Sequence, residues 1–204
     1  DAAQDLSNTL GKVVRIHSDG SVPKDNPFFG RAGVREEIWS YGHRNVQGAA
    51  LHPVTGELWT HEHGPQGGDE VNITRAGRNY GWPKISYGCE YGAPVGNCPP
   101  VGGATSAPGM EQPMTYWVPT SIAPCGMAFY TGRVFPQWRG NLFVGALAGQ
   151  ALWRLQLDGN KVVAREALLT DLGERIRDVR QGPDGAIYLI SDGASAKIYR
   201  LQPT

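Results

Sequence analysis

The sequence has little of what marks a membrane, nucleic-acid-binding or disulfide-framework protein. Its 19 basic and 19 acidic residues give a formal charge of zero, and no run of Lys or Arg stands out. No apolar stretch approaches the roughly 20 residues that cross a bilayer. Three cysteines are too few for a disulfide framework. We therefore expect no nucleic-acid partner, no attraction to an anionic membrane surface and no membrane span.

Helical periodicity is also scarce. The candidate helices, residues 1–10 and 165–172, lack a clean 3.6-residue apolar period. By contrast, 28 Gly and 15 Pro stand beside plentiful aromatic residues. This composition favours many short strands joined by tight turns, and so an all-β protein.

Two kinds of strand alternate along the chain. Residues 13–16, 152–155 and 197–201 alternate and carry an Arg, and the first two runs lead into Asp-Gly turns. Other apolar runs start just after Gly56, Gly140 and Gly185. A turn-strand-loop-strand unit that recurs in this way predicts a β-propeller of about three blades, with a β-sandwich as the alternative. The Gly- and Pro-rich residues 80–115 are predicted to form a long functional loop.

A partial ring of blades would leave open sheet edges, which would need the rest of the propeller or a second copy of the chain. The chain begins at Asp1, within a motif and without an initiator Met. This start leads us to expect a processed or truncated product.

Cys89 and Cys98 bracket a loop rich in Gly and Pro. A disulfide here would restrain the loop and contribute about 2–3 kcal/mol on the chain-entropy model. It would imply an oxidising compartment and leave Cys125 as a free thiol. The alternative is a pair of unrelated thiols.

Polar and small residues are densest in residues 40–48, 61–70 and 79–83, which predicts loops whose backbone closely approaches a ligand. His61 and His63 flank Glu62 and allow a transition-metal site as one interpretation. Their spacing differs from the helical HExxH pattern and no Cys cluster joins them, so a structural role is favoured.

Three motifs in these segments carry a family resemblance: Gly42-His43-Arg44-Asn45-x-Gln47-Gly48, Glu62-x-Gly64-Pro65-x-x-x-Asp69-Glu70 and Asn79-Tyr80-Gly81-Trp82-Pro83. They resemble the soluble glucose/sorbosone dehydrogenases that depend on pyrroloquinoline quinone (PQQ), in particular the aldose sugar dehydrogenase branch. The similarity runs from about residue 9 to the end. It implies a six-bladed propeller, of which residues 1–204 would be the C-terminal part of a single domain. It also implies a bacterial quinoprotein oxidoreductase, periplasmic or secreted.

The resemblance assigns site residues. Those that would hold PQQ are Arg44, Asn45, Thr120, Arg175 and Arg177. Arg side chains suit this role because PQQ is a planar tricarboxylate and guanidinium groups bind carboxylates well. Without the resemblance, Arg175 and Arg177 would be surface residues paired with Glu174 and Asp178.

The same resemblance implies a calcium site at the backbone carbonyls of Gly64 and Pro65, with Asp69 as a supporting acid in the same loop. Carbonyl oxygen is an ordinary calcium ligand, and the ion would polarise the quinone carbonyl. Without the resemblance, a Gly-Pro pair indicates only a turn.

Two departures from the family pattern concern function. Ala148 stands where the glucose dehydrogenases have a Lys that binds the cofactor, and the family's general base is a His that would lie upstream of this chain. His43 and His63 do not match that base. The expected activity is oxidation of an aldose at C1 to a lactone, with this chain inactive alone.

Two alternatives remain. The first is a non-enzymatic propeller that acts as a protein- or ligand-binding module. The second is a metal-dependent lactonase-type propeller, which would need inward carboxylate and Asn ligands from several blades.

Overall fold

The computed structural model describes residues 1–203 and is built almost entirely of strands. The thirteen strands in the described residues are β1 (Lys12–Val14), β2 (Ile38–Tyr41), β3 (Val46–Leu51), β4 (Leu58–Glu62), β5 (Asp69–Ile73), β6 (Thr115–Trp117), β7 (Pro124–Phe129), β8 (Leu142–Ala146), β9 (Ala151–Asp158), β10 (Lys161–Leu168), β11 (Ile176–Gln181), β12 (Ile187–Ser191) and β13 (Ile198–Leu201). Short 3-10 turns cover Val101–Gly103, Pro136–Trp138 and Thr170–Leu172. The all-β prediction is confirmed.

The candidate helices are wrong. Residues 1–10 form turns, and the second candidate begins within β10 and ends in the Thr170–Leu172 turn. The missing 3.6-residue apolar period explains both outcomes, because a helix in a globular protein needs one apolar face to bury. No helix within residues 1–203 is long and apolar enough to cross a membrane.

The strands form four sheets, in the orders β1-β2, β3-β4-β5-β6, β10-β9-β8-β7 and β11-β12-β13. Neighbouring strands in each sheet are consecutive in the chain, which short connections permit when strands are antiparallel. The predicted Asp158-Gly159 turn joins β9 to β10, with Lys161 opposite Asp158. Two of these sheets have the four strands expected of a blade, one has three strands and one has two.

The contacts divide the chain into two compact units. Unit 1 comprises Asp1–Val46 and Glu62–Thr120, and unit 2 comprises Gln47–His61 and the chain from Ser121 onwards.

Unit 2 contains a well-defined apolar core. Its buried members are Tyr130, Phe135, Phe143, Leu152, Ile176, Val179, Ile187 and Leu189. Ile187 and Leu189 of β12 alternate with less buried neighbours, because successive side chains of a strand point to opposite faces. The period of two seen in the sequence therefore places one face of β12 in the core.

Unit 1 contains the long connection between β5 and β6, in which the only regular element is the Val101–Gly103 turn. Cys89 and Cys98 in this connection are joined by a disulfide, with Cα atoms 6.0 Å apart. Cys125, in unit 2, is a buried free thiol. The segment predicted as a long loop is thus irregular but covalently restrained.

Candidate functional site

The buried carboxylate of Glu62, the last residue of β4, organises the predicted cofactor-binding segment of unit 1. Its Oε2 accepts hydrogen bonds from the backbone N–H of Arg44 at 2.6 Å and of Asn45 at 3.2 Å. Its Oε1 lies 3.1 Å from Nδ1 of His43. One carboxylate therefore fixes three consecutive residues of the loop.

His43 connects Glu62 to the interior of unit 1. Its ring is buried, stacks on Tyr80 with centroids 4.6 Å apart, and places Nε2 2.8 Å from Ser40 Oγ. Burial alone would raise the pKa of Glu62, but the bonds from His43, Arg44 and Asn45 outweigh it and lower that pKa. Glu62 is therefore ionised and acts as acceptor, so Nδ1 of His43 donates.

The Arg44 side chain reaches from this loop to a backbone carbonyl and two aromatic rings. Its Nη1 donates to the His63 carbonyl at 3.0 Å, and its Nη2 donates to the Tyr91 hydroxyl at 3.2 Å. Its Cζ lies 5.2 Å from the Trp82 ring centroid and 5.8 Å from that of Tyr91. Its Nε is buried and has no hydrogen-bond partner among residues 1–203. One donor of a well-held guanidinium thus remains available.

The loop after β4 is packed too closely for side chains. A Cβ at Gly64 would lie 2.2 Å from the Gly67 carbonyl oxygen, a separation that atoms do not tolerate. The Gly64 N–H donates to Oδ1 of Asp69 at 2.8 Å, and Asp69 is completely buried. Among residues 1–203, no backbone N–H donates a hydrogen bond to the carbonyl oxygen of Gly64 or Pro65. Asp69 therefore holds the loop that contains these two carbonyl groups.

These residues line one small pocket in unit 1 with a volume of about 20 Å³. Its walls are formed by Gly42, Arg44, Glu62, His63, Gly64, Pro65, Gly68, Glu70, Tyr80, Trp82, Ile85 and Ser86. Arg44, Gly64 and Pro65 were predicted from the sequence and are brought together here. Asn45 is exposed and adjoins the pocket through its backbone bond to Glu62.

Glu70 is a second acid at this pocket. Burial, followed by the nearby Glu62 and Asp69 carboxylates, raises the pKa of Glu70 to about 8, although Asn72 donates to it at 3.1 Å. Glu70 is therefore largely protonated at neutral pH. The wall of the pocket pairs an ionised acid, Glu62, with a neutral one.

Thr120 ends unit 1, next to Pro119. A Cβ at Gly67 would meet the Pro119 carbonyl oxygen at 2.6 Å, and Gly68 N–H donates to the Trp117 carbonyl at 2.7 Å. The chain leading to Thr120 thus packs against the Gly64–Asp69 loop.

Arg175 and Arg177 belong to unit 2. Arg175 precedes β11 and Arg177 lies on it, and both bind Asp192, through Nε of Arg175 at 2.9 Å and Nη2 of Arg177 at 2.9 Å. Arg177 Nη1 also approaches the Cys125 sulfur at 3.4 Å. The two guanidinium groups therefore lie on the same side of β11, around the Asp192 carboxylate.

The alternative in which Arg175 and Arg177 pair with Glu174 and Asp178 is wrong, because both acids bind other residues. Glu174 binds Lys197 at 2.6 Å, and Asp178 binds Arg180 at 3.1 Å. Ala148 lies exposed in the turn after β8 and supplies no side-chain donor there.

The histidines considered for a transition metal lie at the end of β4 and just after it. His61 packs closely against Gly48, since a Cβ at Gly48 would lie 2.3 Å from His61 Nε2. Among residues 1–203 no group of three or more His, Cys, Asp and Glu side chains is arranged to hold a metal ion.

Sequence reasoning missed the organising role of Glu62 and the aromatic contacts of Arg44. Glu62 and Trp82 stand inside the recognised motifs, so their presence beside Arg44 and Gly64 was an available signal. Tyr91 lies 47 positions from Arg44 and no motif contains it.

Comparison with known proteins identifies the family. The family model for glucose/sorbosone dehydrogenase matches residues 1–200. The chain belongs to the glucose/sorbosone dehydrogenase family. The aldose sugar dehydrogenase YliI of Escherichia coli is 47% identical over 201 residues, which cover 98% of this chain and 53% of that protein.

Solved structures agree. A glucose dehydrogenase crystal structure matches all of this chain and 57% of its own length, with 52% identity and a TM-score of 0.92. The PQQ-bound aldose sugar dehydrogenase of Streptomyces coelicolor covers 98% of this chain and 54% of its own, with 29% identity and a TM-score of 0.72. The β-propeller fold class is confirmed, and the chain spans about half the length of the relatives it matches.

Proposed function

We propose that this chain supplies one wall of the active site of a PQQ- and calcium-dependent aldose dehydrogenase. The observation that carries the proposal is the pocket in unit 1, where the buried Arg44 Nε without a partner and the Gly64 and Pro65 carbonyls occur together. A guanidinium donor suits a carboxylate or quinone oxygen, and carbonyl oxygens suit calcium. One similar structure is described as PQQ-bound, and another relative is named a quinoprotein glucose dehydrogenase.

When bound, PQQ would accept two electrons from the sugar and calcium would polarise the quinone. Arg44 would donate to the cofactor with its guanidinium held by the His63 carbonyl, and Asn45 would present its amide beside it. Gly64 and Pro65 would coordinate calcium, and Asp69 would keep their loop in place. In this proposal, the chain binds and orients PQQ and calcium.

Thr120, Arg175 and Arg177 are proposed to complete the cofactor contacts. Arg175 and Arg177 suit this role because Asp192 holds both guanidinium groups on one side of β11 and leaves them roughly half exposed, at 46% and 45%. The convergence of these residues with Arg44 remains part of the proposal.

The proposed reaction is oxidation of an aldose at C1 to a lactone by the whole protein, with residues 1–204 as part of a single propeller domain. Proton removal from the anomeric hydroxyl would fall to a His outside this chain, since neither His43 nor His63 matches the family's base. The isolated chain would then be inactive. A periplasmic or secreted location fits the Cys89–Cys98 disulfide, because disulfides persist in oxidising compartments.

The test is reconstitution of the full-length protein that contains this chain with PQQ and calcium, followed by aldose-dependent dye reduction. Activity should require both additions, and residues 1–204 alone should give none. Arg177→Ala should weaken PQQ binding about tenfold or more, because a charge-assisted bond is lost. Arg180→Ala, on the same strand, is the matched control. A reconstituted full-length protein that oxidises no aldose would overturn the proposal in favour of a binding module.

A further inference from the structure

Tyr91 contacts the predicted cofactor-binding Arg44 from the long connection of unit 1. Its hydroxyl accepts a hydrogen bond from Arg44 Nη2 at 3.2 Å, and its ring centroid lies 5.8 Å from Arg44 Cζ. Nevertheless, 71% of Tyr91 is exposed. A ring so exposed gains little from burial, so something else must hold it beside the guanidinium.

The disulfide-closed segment 89–98, which contains Tyr91, is bound to Gln66, the residue after Pro65. Gln66 and Cys89 exchange two backbone hydrogen bonds, each 3.0 Å long. The Gln66 side chain donates to the Ala93 carbonyl at 2.7 Å and accepts from the Gly92 N–H at 3.1 Å. Four hydrogen bonds thus fix the segment on both sides of Tyr91.

The stem of this segment packs directly on the loop proposed to bind calcium. A Cβ at Gly88 would lie 2.2 Å from the Gly67 carbonyl oxygen and 2.8 Å from Pro65 Cδ. Only a glycine permits this approach of two backbones. The 89–98 segment and its stem therefore contact the Gly64–Asp69 loop as well as Arg44.

Holding a Gly- and Pro-containing segment in one conformation costs chain entropy, and a covalent cross-link lowers that cost. We propose that Tyr91 is a positioning residue that holds the Arg44 guanidinium in place for the carboxylated cofactor, and that the Cys89–Cys98 disulfide keeps Tyr91 there. This inference rests on the proposed function, since it concerns the same pocket.

Cofactor affinity is the first readout, measured by calorimetric titration of the calcium-loaded full-length protein with PQQ. Tyr91→Leu, which removes ring and hydroxyl, should weaken PQQ binding about tenfold, and Tyr91→Phe, which keeps the ring, about threefold. Val95→Ala is the matched control, because Val95 is exposed in the same segment, and it should bind as the wild type does.

The second readout needs no cofactor. Phenylglyoxal modifies accessible arginines, and peptide mass spectrometry reports the rate at Arg44. Tyr91→Leu should increase this rate, and the double variant Cys89→Ser with Cys98→Ser should increase it even though Tyr91 is present. Arg139, exposed in unit 2, should react at an unchanged rate.

The two readouts separate the two proposals. If the wild type does not bind PQQ, the proposed function fails, while a faster Arg44 reaction in Tyr91→Leu still supports the contact. If the wild type binds PQQ and Tyr91→Leu binds it equally well, the positioning role is wrong. An unchanged Arg44 reaction rate in the double cysteine variant would overturn the role of the disulfide.

Discussion

Arg44 in unit 1 and Arg177 in unit 2 are both proposed cofactor-binding residues, but their surroundings differ. The Arg44 backbone is fixed by a buried carboxylate, Glu62, and its side chain by a carbonyl and two aromatic rings. Arg177 lies on β11, at a bulge in the pairing of this strand with β12, and its partner Asp192 is partly exposed. An irregular loop needs buried polar bonds to acquire one conformation, whereas a strand already has its ladder. Loss of Glu62 should therefore lower the free energy of unfolding more than loss of Asp192.

The sharpest test of this comparison is Glu62→Gln. Breaking a buried, hydrogen-bonded charge network by changing one partner should lower the free energy of unfolding by about 3–5 kcal/mol. Urea denaturation followed by tryptophan fluorescence measures the change. Glu166→Gln is the matched control, because the Glu166 side chain is 49% exposed in its pair with Arg154. Equal effects of the two substitutions would contradict the special role of Glu62.

The close packing of the Gly64–Asp69 loop predicts the next largest effect. Gly67→Ala should cost about 2–4 kcal/mol of unfolding free energy, because its Cβ would meet the Pro119 carbonyl at 2.6 Å and its φ is +71°. Gly109→Ala has a similar φ of +77° but meets nothing within 4 Å, so it should cost only about 1–2 kcal/mol. Chemical denaturation measures the unfolding free energy of both variants, and the difference between them is the cost of the steric clash at Gly67. If the two costs agree, the loop is less tightly packed than described.

Glu70→Gln tests the neutral acid of the pocket through pH. The pKa of Glu70 is about 8 in the folded protein and near its ordinary 4.5 in the unfolded chain. Its contribution to stability is complete below the unfolded pKa and is lost as the pH rises through the folded pKa. The slope approaches about 1.4 kcal/mol per pH unit between these values.

In chelator-treated samples, the wild type should therefore lose more unfolding free energy between pH 5 and 8 than Glu70→Gln does. Glu62 contributes to the unfolding free energy with the opposite pH dependence. Because the pKa of Glu62 is lowered in the folded protein, its contribution is lost as the pH falls. Parallel pH profiles for wild type and Glu70→Gln would show that Glu70 ionises normally.

The smallest effect is expected in unit 2. Asp192→Asn should leave the urea midpoint almost unchanged, because exposed ion pairs contribute little and β11 keeps its pairing with β12. Arg175 and Arg177 would stay on the same side of the strand. A loss of stability as large as that of Glu62→Gln would remove the distinction between the two regions.

Local pattern predicted much of the architecture. The Asp158-Gly159 hairpin, the strands that follow Gly140 and Gly185, and the irregular 80–115 segment follow from turn chemistry and period-two alternation, which act over a few residues. The motif containing Arg44 and that containing Gly64 and Pro65 were recognised, and the structure places these three residues around one pocket. The candidate helices failed because composition without an apolar period does not specify one.

What the sequence determined by itself is the all-β class and the family, while the residues assigned to a carboxylated cofactor and calcium stay a prediction. Only the tertiary structure decided how those residues are held. Glu62 binds three residues 17 to 19 positions away, and Tyr91 meets Arg44 across 47. Arg175 and Arg177 bind Asp192 and not their neighbours in sequence, Glu174 and Asp178. The partner of a charged group is set by distance and burial in the folded chain, and neither quantity can be read from spacing along the sequence.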